Sequence, residues 1–99
     1  MTDAAAVNAV LGNVRSVYVH LDLDVLDPSE GRANEYAAPG GASVQQLLEL
    51  IGAVGAATRI VGMSVSAYDP SHDPDGRVAA AAVRLIMATI QAAAGGAGE

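Results

Sequence analysis

Apolar residues along the chain follow two different spacings, and segments of the two kinds alternate. Residues 16–23 and 59–67 are short apolar runs rich in branched side chains, which predicts two strands. Residues 3–12, a segment that opens at Ser43, and residues 77–93 repeat apolar side chains every three or four positions, which predicts three helices. The predicted order is therefore helix, strand, helix, strand, helix.

Local signals mark several helix ends. Ser43 and Gln46 form an S-x-x-Q capping box, Thr2 or Asp3 can cap the first helix, and a pair of glycines follows the last helix. The apolar stripes that we expect to face the core are Val7, Val10 and Leu11 in the first helix, Leu47, Leu48, Ile51 and Val54 in the second, and Val78, Ala82, Leu85, Ile86 and Ile90 in the third.

The strand–helix–strand order predicts the fold class. A helix that connects two strands favours a right-handed βαβ unit with a parallel sheet, so the class is α/β. Parallel sheets are normally buried on both faces, and we expect the same of the strand at residues 59–67. Two strands are too few to bury each other, so we expect a part of a larger three-layer α/β/α domain, or a chain that associates.

The stretch of residues 17–28, VYVHLDLDVLDP, carries the candidate chemistry. If the strand continues through it, Asp22 and Asp24 point to one side, with Cα atoms about 6.5–7 Å apart. Two carboxylates this close repel each other, and a divalent cation such as Mg²⁺, Mn²⁺ or Ca²⁺ relieves the repulsion. The alternative is a solvated acidic turn, which is our interpretation of Asp27-Pro28.

This stretch resembles the S-x-D-x-D-x-x-D-P signature of the ureohydrolases (arginase, agmatinase and formimidoylglutamase). The resemblance covers residues 16–93 and makes the chain, 1–99, the C-terminal portion of an arginase-like domain, with a disordered tail at 94–99. It implies that Asp22 and Asp24 bind a manganese pair, of which this chain holds at most a half-site. Asp27 matches the third aspartate, and His20 stands where the family has serine.

Alternation places His20 on the same face as Asp22, where it is either a hydrogen-bonded core histidine that supports the metal ligands or a metal ligand itself. A second acidic cluster comprises Asp69, His72, Asp73 and Asp75. We interpret it as a turn in which Asp75 caps the last helix, because the D-x-D-x-D-G register of a calcium loop is absent.

Several family motifs are missing or altered. Gly-Gly-x-His and Asp-x-His-x-Asp, which supply the other metal ligands in ureohydrolases, do not occur. The family's D-x-x-E-x-x-P, whose glutamate helps to hold a guanidinium group, falls on Ser64, Ala67 and Pro70. In the loop at residues 28–42, Gly40-Gly41 resembles a family glycine pair. Asn34, Glu35 and Tyr36 are either substrate contacts or solvated loop residues.

Composition restricts the function classes. The net charge is −6 and the positive charges, all arginine, are scattered, which argues against nucleic acid as a partner. No run of about 18 consecutive apolar residues predicts a membrane span, and no secretory signal opens the sequence. The absence of cysteine excludes disulfides and thiolate metal sites and fits the cytoplasm. We expect a homo-oligomer, because the sheet needs cover.

Two function hypotheses follow. In the first, the chain is a segment of a manganese-dependent ureohydrolase that hydrolyses a C–N bond of a small guanidino or amidino compound. The isolated segment would then be inactive, because two aspartates cannot hold two metal ions. In the second, the chain is a truncated and inactive protein of arginase fold that acts only as an association module.

Overall fold

A computed structural model describes residues 3–33 and 39–95 of the chain. Three helices and two strands follow the predicted order. Their bounds are α1 (Asp3–Leu11), β1 (Ser16–Asp22), α2 (Val44–Ala57), β2 (Arg59–Ser66) and α3 (Arg77–Ala94). Three single-turn 3₁₀ helices, Leu23–Val25, Pro28–Glu30 and Pro70–His72, lie in the connections. The predictions about Thr2, about Asn34, Glu35 and Tyr36, and about residues 96–99 lie outside the described residues.

The two strands form a parallel sheet, as predicted for a βαβ unit. Ser16 pairs with Arg59 at one end and Asp22 pairs with Ser66 at the other, with an irregularity in the register after Val17. Because the strands run in the same direction, their carboxyl ends meet at one edge of the sheet. Open α/β sheets bind ligands at this edge.

The core lies between one face of the sheet and helices α2 and α3. It contains buried leucine, valine, isoleucine and alanine side chains, with Met63 and Val65 of β2 packed against them. The members that lie on or after β1 are Leu21, Leu23 and Leu26, and those on the helices are Val44, Leu47, Ile51, Val78, Ala81 and Leu85. The opposite face of β1, with Tyr18, His20 and Asp22, is exposed. The described residues therefore form a partial α/β layer structure.

The predicted capping box begins α2. The Ser43 side chain accepts from the Gln46 backbone N–H at 3.0 Å, and the Gln46 side chain accepts from the Ser43 N–H at 2.8 Å. The Val44 N–H, which has no acceptor within the helix, donates to the Glu30 carboxylate at 3.0 Å. These bonds confirm the prediction and tie the loop before α2 to the helix.

The prediction that Asp75 caps α3 was wrong. Asp73 carries that role, because its carboxylate accepts from the backbone N–H groups of Val78 and Ala79 at 3.0 Å each. Asp75 makes only a long contact of 3.4 Å with the Arg77 N–H. Gly76 precedes the helix with φ of 72°, so the chain turns sharply there and brings residue 73 over the helix end.

Three burial predictions also need correction. Val10 of α1, which we expected to face the core, is 81% exposed. The strand β2 is not covered on both faces, since Val61 remains 60% exposed while Ile60 is buried. Within the described residues β2 has one neighbouring strand, so its other edge has no cover. The apolar stripe of α3 is rotated from the predicted one, because Ala81 and Thr89 are buried and Ile90 is 55% exposed.

Helix α3 is long and apolar enough to cross a membrane when only its length and composition are considered, with a mean hydropathy of 1.4 over 18 residues. A helix that packs in a protein core passes the same test. The side chains of Val78, Leu85 and Thr89 are buried against the rest of the chain, and Arg84 lies exposed in the middle of the helix. We therefore assign α3 to the core of the fold.

Helices α2 and α3 make a close contact at Gly55 and Ala92. A Cβ atom on Gly55 would lie 2.7 Å from the Ala92 Cβ and 3.2 Å from the Ala92 carbonyl oxygen. The two helices thus approach each other where both carry almost no side chain. A Cβ atom on Gly52, one turn earlier in α2, would meet nothing within 4 Å.

We predict opposite effects for alanine at these two glycines. Gly52→Ala should stabilise the fold by about 0.5–1 kcal/mol, because glycine is unfavourable inside a helix and space is available. Gly55→Ala should destabilise the fold by about 1–3 kcal/mol, because α2 and α3 must separate. Urea unfolding followed by circular dichroism measures both. Equal effects of the two substitutions would contradict the close packing of α2 on α3.

Candidate metal and substrate site

The candidate site occupies the edge of the sheet where both strands end. β1 ends at Asp22, and the chain turns at once into the 3₁₀ helix Leu23–Val25. Asp24 therefore lies in a helical turn rather than on the strand, and the same-face rule of a strand does not relate it to Asp22. This corrects our expectation that the strand continues through Leu23.

A hydrogen bond determines how the chain leaves β1. The Asp24 backbone N–H donates to Asp22 Oδ1 at 2.9 Å, so Asp22 caps the 3₁₀ helix with its own carboxylate. Both aspartate side chains are exposed. The two aspartates thus lie two residues apart on a short turn at the end of the sheet.

Asp27 holds the loop that follows. Its Oδ2 accepts from the Ser29 N–H and its Oδ1 accepts from the Gly40 N–H, each at 2.9 Å. The Ser29 hydroxyl and N–H, together with the Gly40 N–H, lower the pKa of this carboxyl to about 2. The expected turn at Asp27-Pro28 is confirmed, and it joins the two ends of the loop.

Gly41 completes this closure. The segment Val25–Asp27 runs beside Ala42, whose N–H donates to the Val25 carbonyl and whose carbonyl accepts from the Asp27 N–H. A Cβ atom on Gly41 would lie 2.6 Å from the Val25 carbonyl oxygen and 2.7 Å from the Asp27 nitrogen. Only glycine permits this approach, which fixes the loop directly behind the turn that carries Asp24.

His20 is held by two serines of the neighbouring strand. Its Nδ1 lies 2.7 Å from the Ser64 Oγ, and its Nε2 lies 3.2 Å from the Ser66 Oγ. The imidazole is exposed, so it is a hydrogen-bonded histidine but not a core residue. Sequence reasoning missed both serines, although their spacing of two positions on the second strand matches the strand period.

Ala67 follows β2 directly and has a φ of 69°. Non-glycine residues rarely adopt this left-handed conformation, so the backbone turns away from the sheet in one step. Alanine presents a methyl group here, which cannot pair with a cation. The position that the sequence resemblance matched to a guanidinium-binding glutamate therefore carries no charge.

The second acidic cluster is a structural turn, as expected. Asp69 accepts from the Ser71 hydroxyl at 2.7 Å and contacts His72 Nδ1 at 2.9 Å, and the Ser71 bonds chiefly lower its pKa. Burial favours protonation of Asp73, but the N–H groups of Val78 and Ala79 and the Tyr68 hydroxyl outweigh it and lower the pKa of the Asp73 carboxyl. These acids are occupied with capping.

Comparison with known proteins decides the family. A model of the arginase family matches residues 2–91. The chain belongs to the arginase family. The agmatinase of Halalkalibacterium halodurans is 34% identical to it over 73 residues, which cover 73% of the chain and 25% of that agmatinase. The agmatinase of Chromobacterium violaceum is 39% identical over 69 residues, which cover 70% of the chain and 21% of that protein.

A solved structure agrees with this assignment. Proclavaminate amidino hydrolase from Streptomyces clavuligerus superposes with a TM-score of 0.81 at 27% identity, over 94% of the arginase-family chain and 32% of the other chain. The chain spans about a quarter of the length of the agmatinases that it matches. The ureohydrolase resemblance and the α/β fold class are confirmed.

The ligand set of this arginase-family chain is only partial. Asp22 and Asp24 provide carboxylate oxygens, which suit Mn²⁺. Among residues 3–33 and 39–95, no group of three or more His, Cys, Asp or Glu side chains could hold a metal ion. His20 could join a metal only by giving up a serine. The described residues therefore fit part of a metal centre rather than a complete one.

We predict that Asp27 makes the arginase-family fold sensitive to acid. Its pKa of about 2 lies below the ordinary value of 3.8, so its stabilising effect is fully present above about pH 4 and is lost as the pH falls through 2. Asp27→Asn should be less stable than the unaltered chain at pH 7, and this difference should shrink between pH 4 and pH 2.

Thermal unfolding across this pH range measures the difference. Ser43→Ala is the control, because it removes an uncharged helix cap and its cost should stay constant with pH. A cost of Asp27→Asn that is equally constant would contradict the role assigned to the carboxylate.

Proposed function

We propose that this arginase-family chain contributes Asp22 and Asp24 to the metal site of a manganese-dependent ureohydrolase. The enzyme would hydrolyse a C–N bond of a small guanidino or amidino compound. The position of the two carboxylates carries the proposal, since both are exposed at the carboxyl end of β1 and the Asp22–Asp24 hydrogen bond holds them on one turn. The names of the relatives, agmatinase and amidino hydrolase, support the substrate class.

Each residue has a defined part in this proposal. When bound, manganese would supply an acidified water as the hydrolytic nucleophile. Asp22 and Asp24 would hold the metal through carboxylate oxygens, and Asp22 Oδ1 would keep its hydrogen bond to the Asp24 N–H. Asp27 and Gly41 would keep the loop behind the turn in place and would not touch the metal.

We further propose that the isolated chain does not catalyse hydrolysis. A two-metal site needs ligands on both ions, about 3.5–4 Å apart. The described residues offer two adjacent carboxylates and no third ligand group. A site with this ligand set would bind one ion weakly and would leave the second without protein ligands.

The side chain of Ala67 affects how a substrate could be held in this proposal. A guanidinium group is held best by a carboxylate that accepts two parallel N–H bonds. The methyl side chain at Ala67 provides no acceptor, so a cationic substrate would need a carboxylate from another part of the site.

We predict that the unaltered chain binds Mn²⁺ through these carboxylates. In a titration to millimolar Mn²⁺, the electron paramagnetic resonance signal of free Mn²⁺ should be reduced by the unaltered chain. Asp22→Asn/Asp24→Asn should weaken binding by at least about 10- to 100-fold, the range seen when even the supporting residues of a metal site are changed.

Asp3→Asn/Glu49→Gln is the matched control, because it removes the same number of negative charges from exposed positions on α1 and α2. It should bind Mn²⁺ as the unaltered chain does. If both double variants bind Mn²⁺ equally, binding reflects only the attraction of the metal to a negatively charged chain. That result would contradict a metal site at Asp22 and Asp24.

A second proposal is that the chain associates with a second copy of itself. Large apolar side chains remain exposed on both strands and on the helices beside them, Val10 on α1, Tyr18 on β1, Val61 on β2 and Ile90 on α3. Parallel sheets are normally covered on both faces, so these exposed apolar side chains favour assembly. This role requires no metal and would persist in an inactive chain.

We predict an assembly larger than a monomer in sedimentation equilibrium at micromolar concentration. Val61→Lys should shift the chain toward the 9.9 kDa monomer, because a buried lysine at a subunit contact is unfavourable. Gln45→Lys, on an exposed polar position of α2, is the control and should leave the mass unchanged. A monomer at all concentrations would contradict self-association.

A further inference from the structure

The imidazole of His20 joins the carboxyl ends of the two strands. Its Nδ1 contacts the Ser64 hydroxyl at 2.7 Å and its Nε2 contacts the Ser66 hydroxyl at 3.2 Å. Neutral imidazole has one donor and one acceptor nitrogen, and a serine hydroxyl can act as either partner. Both bonds can therefore be made in either tautomer. We call His20, Ser64 and Ser66 the cross-strand clamp.

The register of the sheet shows what the clamp connects. His20 pairs with Ser64, and Asp22 pairs with Ser66. The ring is thus bonded within its own pair and to the strand partner of Asp22. The imidazole ring therefore bridges the last two residue pairs of this face of the sheet, next to Asp22.

The position of Asp22 depends on how well the end of β1 is held, because Asp22 is the last residue of that strand. Strand ends fray, since the chain beyond them adds no further ladder bonds. The next segment is anchored by a side chain of the same end residue, through the bond from the Asp24 N–H to Asp22 Oδ1. If the end of β1 moves, both carboxylates move with it.

We propose that His20 is a positioning residue, which fixes Asp22 and, through it, Asp24 by clamping the end of β1 to β2. The part of this inference that concerns metal affinity rests on the function proposed above. The clamp acts through its two hydrogen bonds and needs no direct contact of His20 with the metal. Both ring nitrogens are bonded to the serines, which supports a positioning role for His20 rather than that of a metal ligand.

Amide hydrogen exchange and Mn²⁺ titration test the clamp together. His20→Leu removes both bonds, and Ser64→Ala/Ser66→Ala removes them from the other strand. In each, the amides of Leu21, Asp22 and Asp24 should exchange faster by about fivefold or more, the scale expected for the loss of one or two hydrogen bonds. Mn²⁺ affinity should fall by about tenfold, as for other residues that support a metal ligand.

Two further variants separate positioning from general stability. His20→Gln keeps an amide that can bond one serine, so its exchange and its affinity should lie between those of His20→Leu and the unaltered chain. Ser16→Ala removes a hydroxyl at the opposite end of β1 and should change neither. The urea midpoint of every variant should stay close to that of the unaltered chain, because His20 is exposed and none of the three side chains belongs to the buried core.

Each outcome is decisive. Faster exchange at the strand end with weaker Mn²⁺ binding supports the inference. Unchanged exchange in His20→Leu and in the serine variant overturns the clamp. Faster exchange with unchanged affinity overturns the positioning role. If the unaltered chain binds no Mn²⁺, the proposed function and the positioning role fail, while the exchange data still decide whether His20 orders the end of β1.

Discussion

Parallel pairing of β1 with β2 is the constraint on which the candidate site depends. It brings the last residues of the strands, Asp22 and Ser66, into one pair at one edge of the sheet. Antiparallel pairing would send the two ends to opposite edges and would separate His20 from its serine partners. The buried contact of α2 and α3 with the sheet holds the pairing in place, because the apolar side chains of β1 and β2 share one core with these helices.

Much of this arrangement was predictable from the sequence, because strong local signals agree with each other. The capping box at Ser43 and Gln46 forms as expected, and the order of elements follows from the apolar spacing. The family signature located the two aspartates at the end of a strand. Membership of the arginase family then gives these local features a shared functional context.

The wrong predictions about the end of β1 and the cap of α3 concern side chains that bond to backbone amides a few residues away. The carboxylate of Asp22 accepts from the amide two residues later, at the point where the strand ends two residues before Asp24. In the same way Asp73 rather than Asp75 caps α3, since the left-handed turn at Gly76 decides which residue lies above the helix end. The serine partners of His20 depend on register across 44 and 46 residues of sequence, which periodicity alone does not supply.

The loop after the aspartates is closed at its base by its own hydrogen bonds. Val25 and Asp27 bond to Ala42, and the Asp27 carboxylate bonds to Gly40, so the two ends of the loop meet independently of the residues between them. Since the ends are already joined, a change in loop length costs little chain entropy and does not pull on the turn at Asp24. The loop can therefore change in length and sequence without moving Asp22 and Asp24, so the surroundings of the site can diverge among related proteins while its carboxylates stay in place.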